Sequence, residues 1–414
     1  MNYLIFKKLK KEILWLFLSV FYGLVNKFTL IAVDNFLKSK NIYIVFLREE
    51  RIGHQAGNAD IEFHRAFDRK KRYGAQTVFI FPYPSNQVAN LELRKRLISF
   101  ASKNSYKTIV FNHKYLTKVF SKILTYGLPR VFQSCQNIYY SDTDTGHRIS
   151  TQVLKISKTH NILCKKLEIN PKNYICITSR DENYLRSLNK KRDWDYHNYR
   201  NTDIDNLKGL SLYVQKELKM DVVRIGSNSK KRIKWESQKN PKIIDYSFST
   251  YCSPKNDIEL IAGCNLFINN GGGPVAAAIA ARRNIITINH IPIRISIGNV
   301  WGLWIPKLLK LEKNNKFLSL RETEKLGLAE SLNSEDYTKA NVEIFENTEE
   351  DIINAIKDYF KIQKGLIDDK ENAVLKRYKE IRDESAHIFR KNIVPNDKDI
   401  ISPSFLLKYP ELLS

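Results

Sequence analysis

Phe267-Ile268-Asn269-Asn270-Gly271-Gly272-Gly273-Pro274-Val275-Ala276-Ala277-Ala278 is the stretch on which the fold turns. An apolar run enters three glycines, and a proline follows where a helix begins. Proline is favoured at the first helical position, because its missing N–H has no intrahelical partner there. The small residues after it let a helix pack closely. Strand, glycine turn and helix in this order make one βα unit, whose free N–H groups at the helix start suit an anion. A tight strand–helix turn with no ligand fits the same residues. No Lys-Ser/Thr pair follows, so this is not a Walker loop.

Outward from the turn the same alternation continues. Strand-like runs fall at 174–178, 221–225, 242–245, 266–269 and 285–289, with helical stretches at 204–218, 256–263 and 275–281. Upstream, strand-like runs at 42–47, 77–81 and 106–111 alternate with helical stretches at 60–71 and 90–102. Strands alternating with helices imply parallel sheets, and 414 residues exceed one ordinary core. The expected fold is α/β, with two Rossmann-like domains facing each other across a cleft and an N-terminal apolar helix. The expected units are an N-terminal helix region at 1–40, a first Rossmann-like domain at 41–165, a second at 166–365, and a helix and tail at 366–414 crossing back to the first. Asn170-Pro171 breaks the pattern near the central boundary.

Composition is that of a globular protein, with 43% hydrophobic and 27% charged residues. Lys and Arg number 68 against 44 Asp and Glu, a formal charge of +24. That balance favours nucleic acid, phospholipid head groups or phosphorylated substrates. A Lys-rich compositional bias yields the same balance, and even then draws the chain toward anionic lipid. The five cysteines, Cys135, Cys164, Cys176, Cys252 and Cys264, contain no C-x-x-C pair and are odd in number. Neither a disulfide framework nor a zinc site is expected, which fits a reducing compartment.

Ligands in open α/β sheets sit at the carboxyl ends of strands, so the residues just after the strand-like runs lead. Arg51-Ile52-Gly53-His54 follows the first. Gly53 admits a ligand close to the backbone, and the His54 imidazole can take a proton near neutral pH. Asp60 can orient His54 or be the base itself; an ordinary polar loop explains the same residues. There is no G-x-G-x-x-G, so a dinucleotide is not expected.

Arg180-Asp181 closes the run at 174–178, and Arg200-Asn201-Thr202-Asp203-Ile204-Asp205-Asn206 follows. Thr202 or Asp203 can cap a helix, with Asp205 in its first turn. Arg224 and Gly226 end the next run. Arg180, Arg200 and Arg224 are expected to converge on one cleft, where guanidinium groups bind diphosphate oxygens bidentately. The glycine turn, Asn270, Gly271, Gly272, Gly273 and Pro274, is the expected anion cradle. Asn289-His290-Ile291-Pro292 ends the following run and can touch a base or sugar, and Glu259 can bind a ribose. No D-x-D pair stands at a strand end, so no metal is expected.

Together these residues resemble a family of bacterial glycosyltransferases associated with surface-polysaccharide loci. The resemblance rests on Arg51 to His54, Arg180-Asp181, Arg200 to Asn206, Arg224-Ile225-Gly226, Asn270 to Pro274, Asn289 to Pro292, and the closing Ile401-Ser402-Pro403-Ser404-Phe405-Leu406. It spans the chain from about residue 42 to the C-terminus, and 200–206 is its most specific part. It implies a two-Rossmann, GT-B-like fold with a nucleotide sugar held by the C-terminal domain. The family has a serine-rich turn where this chain has Gly271, Gly272 and Gly273. That departure removes hydroxyl contacts to the donor and leaves the backbone ones.

The expected function is metal-independent, cofactor-free transfer of a sugar from a nucleotide sugar to a growing cell-surface saccharide: lipopolysaccharide, O-antigen or capsule. Arg180 and Arg200 would stabilise the departing diphosphate. Arg224, Gly226, Asn270 to Pro274, Asn289 and His290 would hold the donor, Arg51 and Gly53 the acceptor, and His54 or Asp60 would take the acceptor's proton. A sugar-nucleotide epimerase or hydrolase on the same scaffold is the alternative enzyme. A basic nucleic-acid-binding protein is the non-enzyme alternative. Its aromatics would lie among basic residues, whereas here they lie in apolar runs, so no nucleic-acid partner is expected.

Lys7, Lys8, Lys10 and Lys11 precede an apolar run at 13–25, ILWLFLSVFYGLV. It is apolar on every helical face and short of the roughly 20 residues a span needs. A signal peptide lacks its small-residue cleavage site here. A span with the basic end inside would place the enzyme away from cytosolic nucleotide sugars. A helix lying in the inner leaflet fits the lysines, and a helix packed on the first domain fits the apolarity. The expected location is cytoplasmic, peripheral on the inner face of the cytoplasmic membrane, with a lipid-linked saccharide and the anionic membrane surface as partners.

Overall fold

The computed structural model describes residues 26–111, 128–134, 151–183, 186, 193–226, 229–293, 302–313, 316–389 and 399–414. The apolar run at 13–25 lies outside the described residues, as does Cys135. Helix α1 (Asn26–Ser39) leads into β1 (Ile42–Phe46), then a π-helical turn (His54–Asn58) runs into α2 (Ala59–Tyr73). Next come β2 (Gln76–Phe81), α3 (Leu91–Lys103), β3 (Lys107–Val110) and β4 (Val131–Gln133). Gly74 ends α2 at φ 63, the left-handed conformation that closes helices at little cost to glycine. Asn90 starts α3, its Oδ1 accepting the Leu93 N–H at 2.9 Å. The four strands are parallel, in the order β3-β2-β1-β4.

The second sheet begins after α4 (Thr159–Leu167). Its strands and crossovers are β5 (Tyr174–Ile177), α5 (Lys208–Lys216), β6 (Asp221–Arg224), β7 (Ile243–Asp245), α6 (Pro254–Gly263), β8 (Leu266–Asn269), α7 (Pro274–Ala280), β9 (Asn284–His290) and β10 (Gly302–Pro306). A separate antiparallel ribbon, β11 (Leu308–Leu311) with β12 (Val342–Phe345), follows. The chain ends through α8 (Glu349–Gln363), α9 (Asp369–Phe389), β13 (Asp399–Ile401) and α10 (Pro403–Lys408). The seven-stranded sheet has the order β13-β10-β9-β8-β5-β6-β7, every pair parallel. Every residue of β5, β6 and β8 is buried, as sheets covered on both faces require.

Both sheets have a switch point. From β5 the chain moves outward through β6 and β7, then returns to the other side of β5 as β8. In the first sheet the reversal lies between β1 and β4. Such crevices, at the carboxyl ends of the diverging strands, are where α/β proteins place ligands.

The two units do not merely face each other across a cleft. One continuous apolar cluster joins Val45, Phe63, Phe79 and Leu97 of the first sheet's layer to Tyr174, Cys176, Phe267 and Ala277 of the second. Helices α3 and α4 both pack on α6. Two ion pairs with buried carboxylates cross the junction, Arg96–Glu259 at 2.6 Å and Arg282–Asp60 at 2.8 Å.

The C-terminal tail also departs from expectation. Set off from α8 at Gly365 (φ 66), its described part, α9, β13 and α10, stays on the second sheet. Tyr378 and Ile381 of α9 pack with Leu303, Trp304 and Phe405, and β13 pairs with β10. The closing Ser402-Pro403-Ser404 is tied down by buried Asp358, which accepts the Ser404 N–H at 2.9 Å and the Ser404 hydroxyl at 2.7 Å. That anchor, with the apolar face of α9, holds the tail where it is.

On α1, Leu37 is buried beside Phe46, Ile80 and Val131. Ile31, Val33 and Phe36 are exposed. Among the described residues no helix is long and apolar enough to cross a membrane.

Candidate functional site

The two switch points touch. A Cβ added to Gly53 would lie 3.4 Å from the Gly273 Cα, and one on Gly273 would lie 2.7 Å from the Ile52 Cγ2. Glycine is therefore needed at 273 to let the segment after β1 lie against the turn after β8. Gly57 abuts Ala276 in the same way, a Cβ there reaching 3.4 Å. Arg51 crosses the junction too, its guanidinium 5.4 Å over the Trp194 ring.

His54 does not sit in a polar loop. The helix begins at Ile52 and passes through the π-helical turn from His54 to Asn58 before becoming α2. Such turns widen a helix locally and recur at functional sites. The carboxylate beside His54 is Glu50, whose Oε1 is 3.1 Å from the Nδ1. Burial pushes the Glu50 carboxyl up, but hydrogen bonds from His54 and Arg48 more than offset this and bring it down to about 2.

Asp60, expected to orient His54 or to act as the base, is instead paired with an arginine of the second unit. Its side chain is fully buried, and Arg282 of the second unit grips it with Nη2–Oδ1 at 2.8 Å and Nη1–Oδ2 at 3.2 Å. An anion so enclosed and paired is a strut between domains. Glu259 is likewise withdrawn from any ribose. It is fully buried and accepts from Arg96, from the Ser157 N–H at 2.9 Å and from the Thr159 hydroxyl at 3.1 Å.

Of the three arginines expected to converge, two do. Arg180 follows β5 and Arg200 ends a 3₁₀ turn (Asp195–Arg200), and the side-chain amide of Asn270 binds both backbones. Its Oδ1 accepts the Arg180 N–H at 2.7 Å and its Nδ2 donates to the Arg200 C=O at 3.2 Å. Arg200 Nη2 donates to the Gly271 C=O. Arg180 Nη1 donates to Asn201 Oδ1 at 2.7 Å and to the His197 C=O at 3.0 Å. Neither guanidinium forms an ion pair with a carboxylate among the described residues. Burial, then the neighbouring Arg200 charge, pull Arg180 down to about 10; burial also lowers Arg200. The Arg200 Nε is buried without a hydrogen-bond partner.

Arg224 is committed elsewhere. It is buried and donates to both oxygens of Asp245 at 2.9 and 3.0 Å. The registered pairing of β6 with β7 places Arg224 opposite Asp245, so the charge is neutralised within the sheet. In its stead stands Lys307, just past β10. Its Nζ donates to the Asn201 C=O at 2.8 Å and lies 3.2 Å from Glu346 Oε1. Burial lowers its pKa, and the nearby Arg180 charge adds to this.

The glycine turn is only partly an anion cradle. The Gly271 N–H donates to Asn269 Oδ1 at 2.7 Å, so that donor is taken, and Gly271 sits at φ 87. Pro274 opens α7, which has only seven residues and little dipole to offer. The neighbouring amides of Gly272 and Gly273 are what the turn retains. Gly226, at φ 150, lies among hydroxyls: a Cβ there would be 2.9 Å from Ser229 Oγ and 3.5 Å from Ser247 Oγ. Asn289 and His290 are buried rather than at an open edge. Asn289 Oδ1 accepts the Asn347 N–H at 2.6 Å, and the His290 ring stands edge-on to Trp304 at 5.1 Å.

Glu50 and Lys307 are the residues that sequence reasoning passed over. Glu50 lies four residues before His54, just ahead of the helix that starts at Ile52. Lys307 follows a strand that the apolar pattern left unmarked. Among the described residues no three His, Cys, Asp or Glu side chains gather as a metal site, and Cys164, Cys176, Cys252 and Cys264 are free thiols.

No protein-family model matches the chain, and no curated protein matches it. Among solved structures it is similar to the glycosyl transferase family 9 protein of Veillonella parvula DSM 2008, at 10% identity over 77% of this chain and 96% of that one, TM-score 0.42. It is also similar to E. coli ADP-heptose lps heptosyltransferase II, at 14% identity over 59% of this chain and 84% of that one, TM-score 0.29. A third is UDP-GlcNAc 2-epimerase from Methanocaldococcus jannaschii, at 14% identity over 79% of each chain, TM-score 0.28. At these identities and TM-scores the likeness carries no argument about chemistry.

Proposed function

We propose that this chain is a glycosyltransferase that moves a sugar from a nucleotide-sugar donor to a growing cell-surface saccharide, without a metal. The observation that carries the reading is the pair Arg180 and Arg200. Two guanidinium groups are held close together beside a glycine turn at a switch point, and neither is paired with a carboxylate among the described residues. Adjacent like charges repel, and in a low-dielectric site the repulsion is costly. A diphosphate between them removes it and supplies an oxygen for the orphaned Arg200 Nε. As the bond from the sugar's anomeric carbon to the diphosphate breaks, the growing negative charge is balanced by these two cations. Lys307, tied to the same Asn201 as Arg180, adds a third cation at the edge.

The acceptor hydroxyl enters from the first unit, beside Arg51, Gly53 and His54, where Gly53 lies against the turn, and His54 takes its proton. Lipopolysaccharide, O-antigen or capsule intermediates, lipid-linked ones among them, are the acceptor class proposed. The protein works in the cytoplasm at the inner face of the membrane, a placement supported by the basic, apolar N-terminal sequence and the charge of +24.

The test is transfer by purified protein, after a thermal-shift screen with UDP, GDP, ADP, CMP and their sugars to find the donor. Arg180→Ala and Arg200→Ala should each lower kcat about 10²–10³-fold, the usual loss of one charge-stabilising donor. Near-normal rates in both variants sink the reading. Donor turnover that needs no acceptor replaces it with epimerase or hydrolase chemistry.

A further inference from the structure

His54 and Glu50 stand four residues apart, Glu50 two residues ahead of the helix that begins at Ile52, and their side chains meet. The Glu50 carboxylate is an acceptor only, so at 3.1 Å the His54 Nδ1 must carry the hydrogen and donate it. In the neutral ring that leaves the other nitrogen, Nε2, with its lone pair, and Nε2 has no hydrogen-bond partner among the described residues. Glu50 is itself held: Arg48 Nε donates to the same Oε1 at 2.6 Å. Its charge is felt at Tyr83, whose hydroxyl is pushed up to about 12 by burial and then by Glu50. The turn carrying His54 is pressed against the glycine turn of the second unit through Gly53 and Gly273.

We infer that Glu50 is a positioning residue that fixes the His54 tautomer and so presents Nε2 as the proton acceptor for the incoming hydroxyl. The inference rests on the transferase reading above. In the step it serves, a lone pair of the acceptor oxygen forms the new bond to the anomeric carbon, and the hydroxyl proton passes to Nε2. The electron pair of the breaking carbon–oxygen bond stays on the departing diphosphate. The imidazolium so formed lies against the Glu50 carboxylate, which balances its charge until the proton is lost to solvent. Asp60, enclosed by Arg282, has no part in this.

The test combines kinetics with a measurement that needs no turnover. His54→Ala should lower kcat about 10²–10⁴-fold, the range of one positioned general base. Glu50→Gln should lower kcat by about 10²-fold with donor KM unchanged, since the donor binds elsewhere. Groups that act as a unit are non-additive, so Glu50→Gln/His54→Ala should be no slower than His54→Ala alone. A Glu50→Gln variant with the wild-type kcat, or losses that multiply in the double variant, overturns the inference. Histidine ¹⁵N NMR reads the tautomer directly. Nδ1–H in the wild type, lost in Glu50→Gln, upholds the positioning; the same tautomer in both overturns it. If no nucleotide sugar is turned over at all, the transferase reading falls and the NMR result decides the pair by itself.

Discussion

Truncating Asp60 to alanine should unfold this protein more readily without slowing its chemistry. Asp60 is fully buried, and its two oxygens meet the Arg282 guanidinium at 2.8 and 3.2 Å, across the junction of the two units. At about 3 Å and an effective dielectric near 20, Coulomb attraction is roughly 5 kcal/mol. Most of that only offsets the cost of taking both charges out of water, so the intact pair contributes little net. Removing one partner is different, because the other stays buried without the opposite charge that faced it, at about 3–5 kcal/mol. Asp60→Ala should lose that amount in urea unfolding followed by tryptophan fluorescence. Asp60→Leu/Arg282→Met, which removes both charges and keeps the volume, should return to within about 1 kcal/mol of wild type. Under native conditions kcat of Asp60→Ala should stay within about threefold of wild type. A stability loss under about 1 kcal/mol would refute the buried strut. A kcat loss of about 10³-fold at intact stability would restore Asp60 as the base.

Two further outcomes follow from the site. Gly273→Ala places a Cβ 2.7 Å from the Ile52 Cγ2, so the two units must part slightly; we expect about 1–3 kcal/mol of destabilisation in urea unfolding and a drop in transfer. Glu50 titrates at about 2 in the folded protein against an ordinary 4.5, so the unfolded chain binds more protons between those values. Its stabilisation is complete above about pH 4.5 and is lost as pH falls toward 2, amounting to about 2 kcal/mol once its partial exposure is allowed for. Unfolding free energies of wild type and Glu50→Gln, measured from pH 6 to 3, should therefore converge as pH falls; a constant difference would contradict the shift.

Much of the fold was legible because buried parallel strands are continuous apolar runs. The run at 266–269 is β8 to the residue, and the runs at 42–47, 174–178 and 221–225 each overrun their strands by one. The strands passed over lie late in the chain or are short: β4 and β13 have three residues each, too few for a pattern, and exist because distant neighbours pair with them. The site divided along the same line. Arg180 stood out because it lies just past the end of β5, and Arg200 because it opens the polar run at 200–206; that both reach the glycine turn, 71 to 90 residues on, is a tertiary outcome. Arg224 has the same local signature, yet β7 sets Asp245 opposite it.

Periodicity, turn glycines and the proline after them act between near neighbours, so the chain alone determined the parallel α/β alternation and the βα turn that carries Asn270. Which charges are spent on structure and which stay available was decided only in three dimensions. Asp60 meets an arginine 222 residues away and Glu259 one 163 residues away, and both are thereby engaged in ion pairs across the junction. Glu50 and His54 needed only a helix to start earlier than its polar residues suggest. A charge is silenced or freed by whatever folds against it: for Asp60 and Glu259 that partner lies in the other unit, and for Arg224 on the neighbouring strand.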